Sequence, residues 1–216
     1  MFRMCRVSAV IRATIQWCGS GLAPRLDAVV VPASRQARKL LAAMKLATAV
    51  GARLVAMCSG KAEVGKVAEV AREVPDPRAT LVDLTRYGNG WLDDFRTSAV
   101  AAAVPRHLGD LSVKRNLGLL LGAAAGWRSL LFLDDDIRDI EPRLVLRAVA
   151  GLAEFDVVGM FPSDFPDNSV VCHANRLAGE SQDVFLSDSA AVVDPTRKLG
   201  FFPRVYNEDW FFSSTR

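Results

Sequence analysis

Apolar residues in this chain fall into short unbroken runs separated by stretches where they recur every three or four positions. The run AVVV at 28–31 is continuous and β-branched, PASR at 32–35 breaks it, and a helical period follows at 36–50 through Leu40, Leu41, Met44 and Ala47. Gly51 stands where a left-handed C-terminal cap belongs. RLVAMC at 53–58 predicts a second strand, a short helix closed by Pro75 and Pro77 comes next, and a third strand is expected at 79–84. An Ala-rich helix at 97–104 precedes a clearer one over 112–126, with Ser112 as cap, Val113, Leu117, Leu120, Leu121 and Ala124 as its apolar face, and Gly126 as its end.

SLLFL at 129–133 lacks alternation, as a strand does when helices cover both faces of a parallel sheet. A short helix near 143–150, a strand in FDVVGMF at 155–161, a polar loop at 162–182 and a strand at 184–193 complete the pattern. Strand and helix alternate from residue 27, which predicts an α/β fold with a mostly parallel, doubly wound sheet and right-handed crossovers. Ligands of such sheets bind at the carboxyl ends of the strands, where 32–35, 59–61 and 134–136 fall.

Composition changes this picture little. With 216 residues, 50% of them hydrophobic and 24% charged, the chain can bury a sizeable core. A net charge of +3 gives no signal for nucleic acid, and nothing in the pattern bears on oligomeric state. Cys5, Cys18, Cys58 and Cys172 form no C-x-x-C pair, which favours a reducing, cytoplasmic setting. Residues 1–26 read as a poorly defined extension, because Arg3, Arg6 and Arg12 interrupt every apolar run and leave neither a signal core nor a membrane span.

The chemistry concentrates in LFLDDDIRDI at 131–140. One aspartate after a strand is an ordinary cap. Asp134, Asp135 and Asp136 in succession repel one another, so they call for hydrogen-bond donors or a cation, and hard oxygen ligands select Mg²⁺ or Mn²⁺. A nucleotide hydrolase is one candidate, since GKAEVGKV at 60–67 nearly matches a phosphate-binding loop. The match fails where Val67 replaces the metal-binding hydroxyl and Glu63 puts negative charge into a phosphate nest.

A different resemblance covers more of the chain. KRNLGLLLGAAAGWRSLLFLDDDI at 114–137 resembles the core of glycosyltransferases with the GT-A fold, in which a basic helix start precedes a strand ending in a D-x-D motif. VVVPASR at 29–35 resembles their first strand and nucleotide loop, and YNEDWFF at 206–212 their acceptor-side acidic motif. The similarity spans about residues 27–212 and points to the nucleotide-diphospho-sugar transferase superfamily, in a form like family 2.

That resemblance implies a Rossmann-like GT-A domain over 27–216, a nucleoside-diphosphate sugar as donor, Mg²⁺ or Mn²⁺, and a hydroxyl acceptor. Pro32, Ser34 and Arg35 would form the base and ribose loop, with Ser59 beside it; Arg35 could equally begin the next helix. Lys114 and Arg115 lie in a first helical turn, where the macrodipole disfavours cations, so either a diphosphate or a carboxylate such as Asp110 or the acid cluster offsets them. Asn116 would orient a loop, contact ribose or cap. Asp134 would face the ribose or donor sugar and Asp135 would support the loop or the sugar, while Asp136 ligates the metal with Asp134 as its second ligand. Asp209 would be the general base, with Glu208 as substitute.

His107 and His173 have no metal-ligand spacing. Asp188 stands where the family often has small residues, and the chain reaches only to Arg216, before the later metal ligand many relatives carry. A shortened nucleotide-sugar-binding protein without turnover is therefore the alternative to an enzyme, with Trp210, Phe211 and Phe212 in need of cover from another segment or a partner.

Overall fold

The computed structural model describes residues 23–85, 110–160, 177–179, 189–197 and 199–204, together with Glu208 and Phe212. Within them six strands form one sheet: β1 (Ala28–Ala33), β2 (Arg53–Cys58), β3 (Ala79–Asp83), β4 (Leu130–Leu133), β5 (Val157–Gly159) and β6 (Ala190–Val193). The described α-helices are α1 (Leu41–Ala49), entered through a 3₁₀ turn at Ala37–Leu40, α2 (Val64–Ala71), α3 (Leu111–Ala124) and α4 (Pro142–Gly151). Residues 1–22 of the extension, the Ala-rich stretch at 97–104 and most of the polar loop at 162–182 lie outside the described residues.

Strand order is β3-β2-β1-β4-β6-β5, with β1 parallel to β2 and β4, and β2 parallel to β3. The α/β class and the mostly parallel sheet agree with the sequence pattern. β6 departs from it by running antiparallel to both β4 and β5. Its direction follows from the route: Met160 donates to the carbonyl of Ala190 at 2.8 Å, so the chain leaves β5 and enters β6 at the same end of the sheet.

Alternate strand residues feed two cores. Val29, Val31, Leu54, Leu131, Leu133 and Val192 pack under α1, α2 and α4. Val30, Val55, Leu130, Phe132 and Val193 face α3 together with Phe202 and Phe212. Leu26, nominally part of the extension, is fully buried in the first core. Pro32, expected to break β1, lies inside it opposite Met57. β1 and β4 pair only from Ala28 to Val30, so beyond that point a residue without an N–H leaves no ladder bond open on the β4 side.

Gly51 and Gly126 take φ of 67° and 69° and end their helices as the sequence predicts. The buried face of α3 matches the predicted one only in part: Val113 is buried, and Leu117 and Leu121 pack partly buried against the second core. The buried face runs through Arg115, Gly118, Leu119 and Gly122, the i, i+3, i+4, i+7 series, while Ala124 is exposed. A reading by apolar side chains passes over the two glycines, yet they let the helix backbone press onto the sheet. A Cβ on Gly118 would meet Val30 Cγ1 at 2.8 Å, and one on Gly122 would meet Leu130 Cδ1 at 2.6 Å and Pro195 Cγ at 2.9 Å.

Gly122→Ala is accordingly expected to destabilise the fold by about 1–3 kcal/mol through overpacking. Gly65, exposed in α2, has nothing within 4 Å of where a Cβ would stand, so Gly65→Ala should stabilise by up to about 1 kcal/mol through helix propensity. Urea denaturation midpoints moving in opposite directions for the two variants is the expected result.

Candidate functional site

The carboxyl ends of β1, β2 and β4 meet the first turn of α3, and there the polar side chains accumulate. Their organiser is Asp135, whose side chain is 1% exposed. Its Oδ2 accepts the backbone N–H groups of Ser34 and Arg35 at 3.1 and 3.0 Å, and its Oδ1 accepts from the Arg35 guanidinium. A buried carboxylate needs such donors. They make it the clasp between the acid loop after β4 and the loop after β1. From the other side, Lys61 N–H donates to the Ser34 carbonyl at 3.0 Å. Pro32 is buried within β1, whereas Ser34 and Arg35 are exposed, so only the latter two present side chains to a ligand.

Arg35 also reaches Asp136, Nη2 to Oδ2 at 3.1 Å, with both side chains about half exposed. The hydrogen bond and charge of Asp135 hold the Arg35 pKa above its usual value. Asp134 turns instead to Arg115, whose Nη2 lies 3.2 Å from its Oδ1. Burial raises the Asp134 pKa, and the Arg115 charge only partly offsets this. The three acids thus answer to two different cations. Among the described residues, no three His, Cys, Asp or Glu side chains converge as a metal site. Mg²⁺ and Mn²⁺ commonly take one or two carboxylates and complete their shell from phosphate and water. Asp136, half exposed, with Asp134 as its neighbour but one in the chain, would be the carboxylates of such a smaller set.

Lys114 and Arg115, neighbours in the chain, go to different places. Lys114 is 1% exposed, and its ammonium donates to Ala33 O at 2.8 Å and Ser59 Oγ at 2.7 Å while pairing with Asp110 Oδ1 at 2.9 Å. An ammonium has three N–H donors, and these three acceptors use them all. In this arrangement Lys114 holds the ends of β1 and β2 to α3 and offers nothing to a phosphate. Ser59, 9% exposed, is engaged by it. Beside it, burial pushes the Cys58 thiol up to about 11, despite the Lys114 charge.

Arg115, 3% exposed, joins Asp134 to Glu208, with Nη1 to Oε1 at 2.8 Å, and its Cζ lies 5.4 Å from the Phe202 ring centroid. Its Nε is buried and has no hydrogen-bond partner among the described residues. This bridge draws Glu208 to the acid loop. Asn116 secures Phe202: its amide donates to the Phe202 carbonyl at 2.9 Å and accepts the Phe202 N–H at 2.7 Å. Its role is therefore to orient the late segment. Phe202 stacks on Phe212 at 3.9 Å and meets Phe132 edge-on at 5.6 Å.

Phe212, expected to need outside cover, is 3% exposed because Phe202 covers it. Trp210 and Phe211 lie outside the described residues, as do Asp209, Asp188, His107, His173, Cys5, Cys18 and Cys172. Residues 60–67 do not form a phosphate nest. The Lys61 and Ala62 N–H groups donate to Ser34 and Ser59 carbonyls, Lys66 pairs with Glu63 at 2.6 Å, and Val67 is fully buried. Sequence reasoning overlooked Phe202; an aromatic among several in GFFPR carries no signal that distinguishes it.

Because burial raises the Asp134 pKa above the 3.8 of an unperturbed aspartate, folding favours its protonated form. The stability it contributes is present below the unfolded pKa and is lost as pH rises through the folded pKa. Asp134→Asn removes that loss, so the variant should gain stability relative to wild type as pH rises from about 4 to about 7. Urea unfolding across that range checks the sign. No family model matches the chain, and no curated protein matches it, so its function must be argued from the site itself.

Proposed function

We propose that the domain is a GT-A-like glycosyltransferase that binds a nucleoside-diphosphate sugar at the carboxyl end of the sheet and transfers the sugar to a hydroxyl acceptor. The observation that carries this reading is the Asp135 clasp, which ties the loop after β1 to the acid loop and leaves Ser34, Arg35 and Asp136 exposed around one edge. Ser34 and Arg35 would take the nucleoside and Asp134 the ribose or donor sugar. Mg²⁺ or Mn²⁺ held by Asp136, with Asp134 as second ligand, would supply positive charge to the departing diphosphate.

Arg35 has a second part to play. Half exposed and paired with Asp136, it stands as an internal counter-ion to the acid loop and can swing to a diphosphate oxygen when the donor arrives. Lys114 supports this site from beneath by fixing β1, β2 and α3, and Arg115 aligns Glu208 with the acid loop. Glu208 is engaged by that arginine, which leaves Asp209 as the base. In the transfer, the acceptor O–H proton passes to Asp209 and the acceptor oxygen forms its bond to the anomeric carbon. The bond from that carbon to the phosphate oxygen breaks, and its electron pair leaves with the diphosphate.

Calorimetric titration with UDP, GDP, ATP and GTP, with and without Mn²⁺, tests this reading. Metal-dependent UDP or GDP binding that weakens at least about tenfold in Asp136→Ala is expected, equivalent to about 1.4 kcal/mol. Binding of ATP or GTP alone, abolished by Lys66→Ala and indifferent to Asp136→Ala, would favour the hydrolase instead. Sugar transfer or donor hydrolysis lost in Asp209→Ala, with donor binding retained, separates an enzyme from a binding protein. Arg35→Gln should tighten binding of Mn²⁺ alone while weakening that of the nucleotide.

A further inference from the structure

A cavity of about 660 Å³ opens on the face of the sheet away from α3, between α1 and the loop that leads from the acids into α4. The topology creates it. Helix α1 rests mainly on β1 and β2, and α4 on β5 and β6, so the carboxyl end of β4 lies between two helices. Leu133 at that end, with Leu41, Leu46, Ile137 and Ile140, gives the cavity an apolar lining. Its volume falls within the range of small-molecule sites, about 300–1,000 Å³.

The charges around it are one-sided. Lys39, Lys45 and Arg138 line the cavity and have no carboxylate partner among the described residues. Arg38 is there too, neutralised by Glu73, and Asp139 is the one acid in the lining. An apolar cleft rimmed by unpaired cations complements a ligand with an aliphatic body and an anionic head: the body removes Leu and Ile surface from water while the head meets the cations. From this we infer that the groove is a binding site for an aliphatic anion, a chain carrying a carboxylate or a phosphate. None of the residues assigned to the donor pocket lines this cavity, and the inference needs no part of the transferase reading.

Binding of dodecanoate, dodecyl phosphate, dodecyl maltoside and inorganic phosphate to the full chain, below the micellar concentration of each amphiphile, tests the inference. Saturable one-to-one binding of dodecanoate or dodecyl phosphate is expected, at least about tenfold tighter than that of dodecyl maltoside or inorganic phosphate. The arm that binds more tightly identifies the head group. The double variant Lys45→Glu/Arg138→Glu, both positions exposed, should lose at least about tenfold in affinity with its thermal midpoint unchanged. Arg72→Glu, an exposed charge reversal outside the groove, should leave binding as it was. Equal affinity for dodecyl maltoside, an equal loss in Arg72→Glu, no effect of the double variant, or no saturable binding of either anion would each overturn the inference. So would preference for a glutamate-rich peptide over both anions.

Discussion

A buried carboxylate needs hydrogen-bond donors, and at Asp135 they come from the loop after a strand about a hundred residues earlier in the chain. The backbone N–H groups of Ser34 and Arg35 would otherwise be open at the end of β1. One side chain therefore satisfies two strand ends and draws the loops after β1 and β4 together. Asp134 and Asp136 then reach different partners, Arg115 for one and Arg35 for the other. What reads along the chain as a run of mutual repulsion is, in space, three carboxylates shared between two guanidinium groups and two amides.

The basic pair at the start of α3 follows the same logic. Cations in a first helical turn oppose the macrodipole, and the structure offsets them with carboxylates: Asp110 for Lys114, Asp134 and Glu208 for Arg115. Their division of labour follows from chemistry. An ammonium is a compact donor that fits the small space between Ala33 and Ser59, while the planar guanidinium spans two carboxylates and lies against Phe202. Burial on this scale makes both residues structural members of the site first. Arg35, by contrast, keeps its side chain about half exposed beside the acids.

Much of the fold was legible because its signals are local. Continuous apolar runs marked β1, β2 and β4, and Gly51 and Gly126 marked helix ends, since each depends on a few adjacent residues. The position of the acids at a strand end was legible for the same reason. Partner choice was not, because Lys114 and Arg115 look alike in sequence and only the packing of α3 on the sheet sends them apart. Helix packing itself was misjudged at Gly118 and Gly122, where the contact comes from backbone that hydropathy does not register. The direction of β6 was illegible as well: AAVV reads the same whichever way its strand runs.

That reversed strand matters for the site. In a uniformly parallel sheet, the residue before β6 would lie at the amino end, far from the acids. Here Ser189 precedes β6 at the carboxyl end, and its carbonyl accepts the Asp134 N–H at 2.8 Å. Met160 lies at the same end, bonded to Ala190. Thr85, just past β3, and Asp110, just before α3, are also there, the latter through its pairing with Lys114. Ser189, Met160 and Asp110, which border stretches outside the described residues, thus lie at the same end of the sheet as the acid loop. The opposite end of the sheet is closed by short connections, such as Asp27 accepting the N–H groups of Arg128 and Ser129 at 2.8 and 3.1 Å.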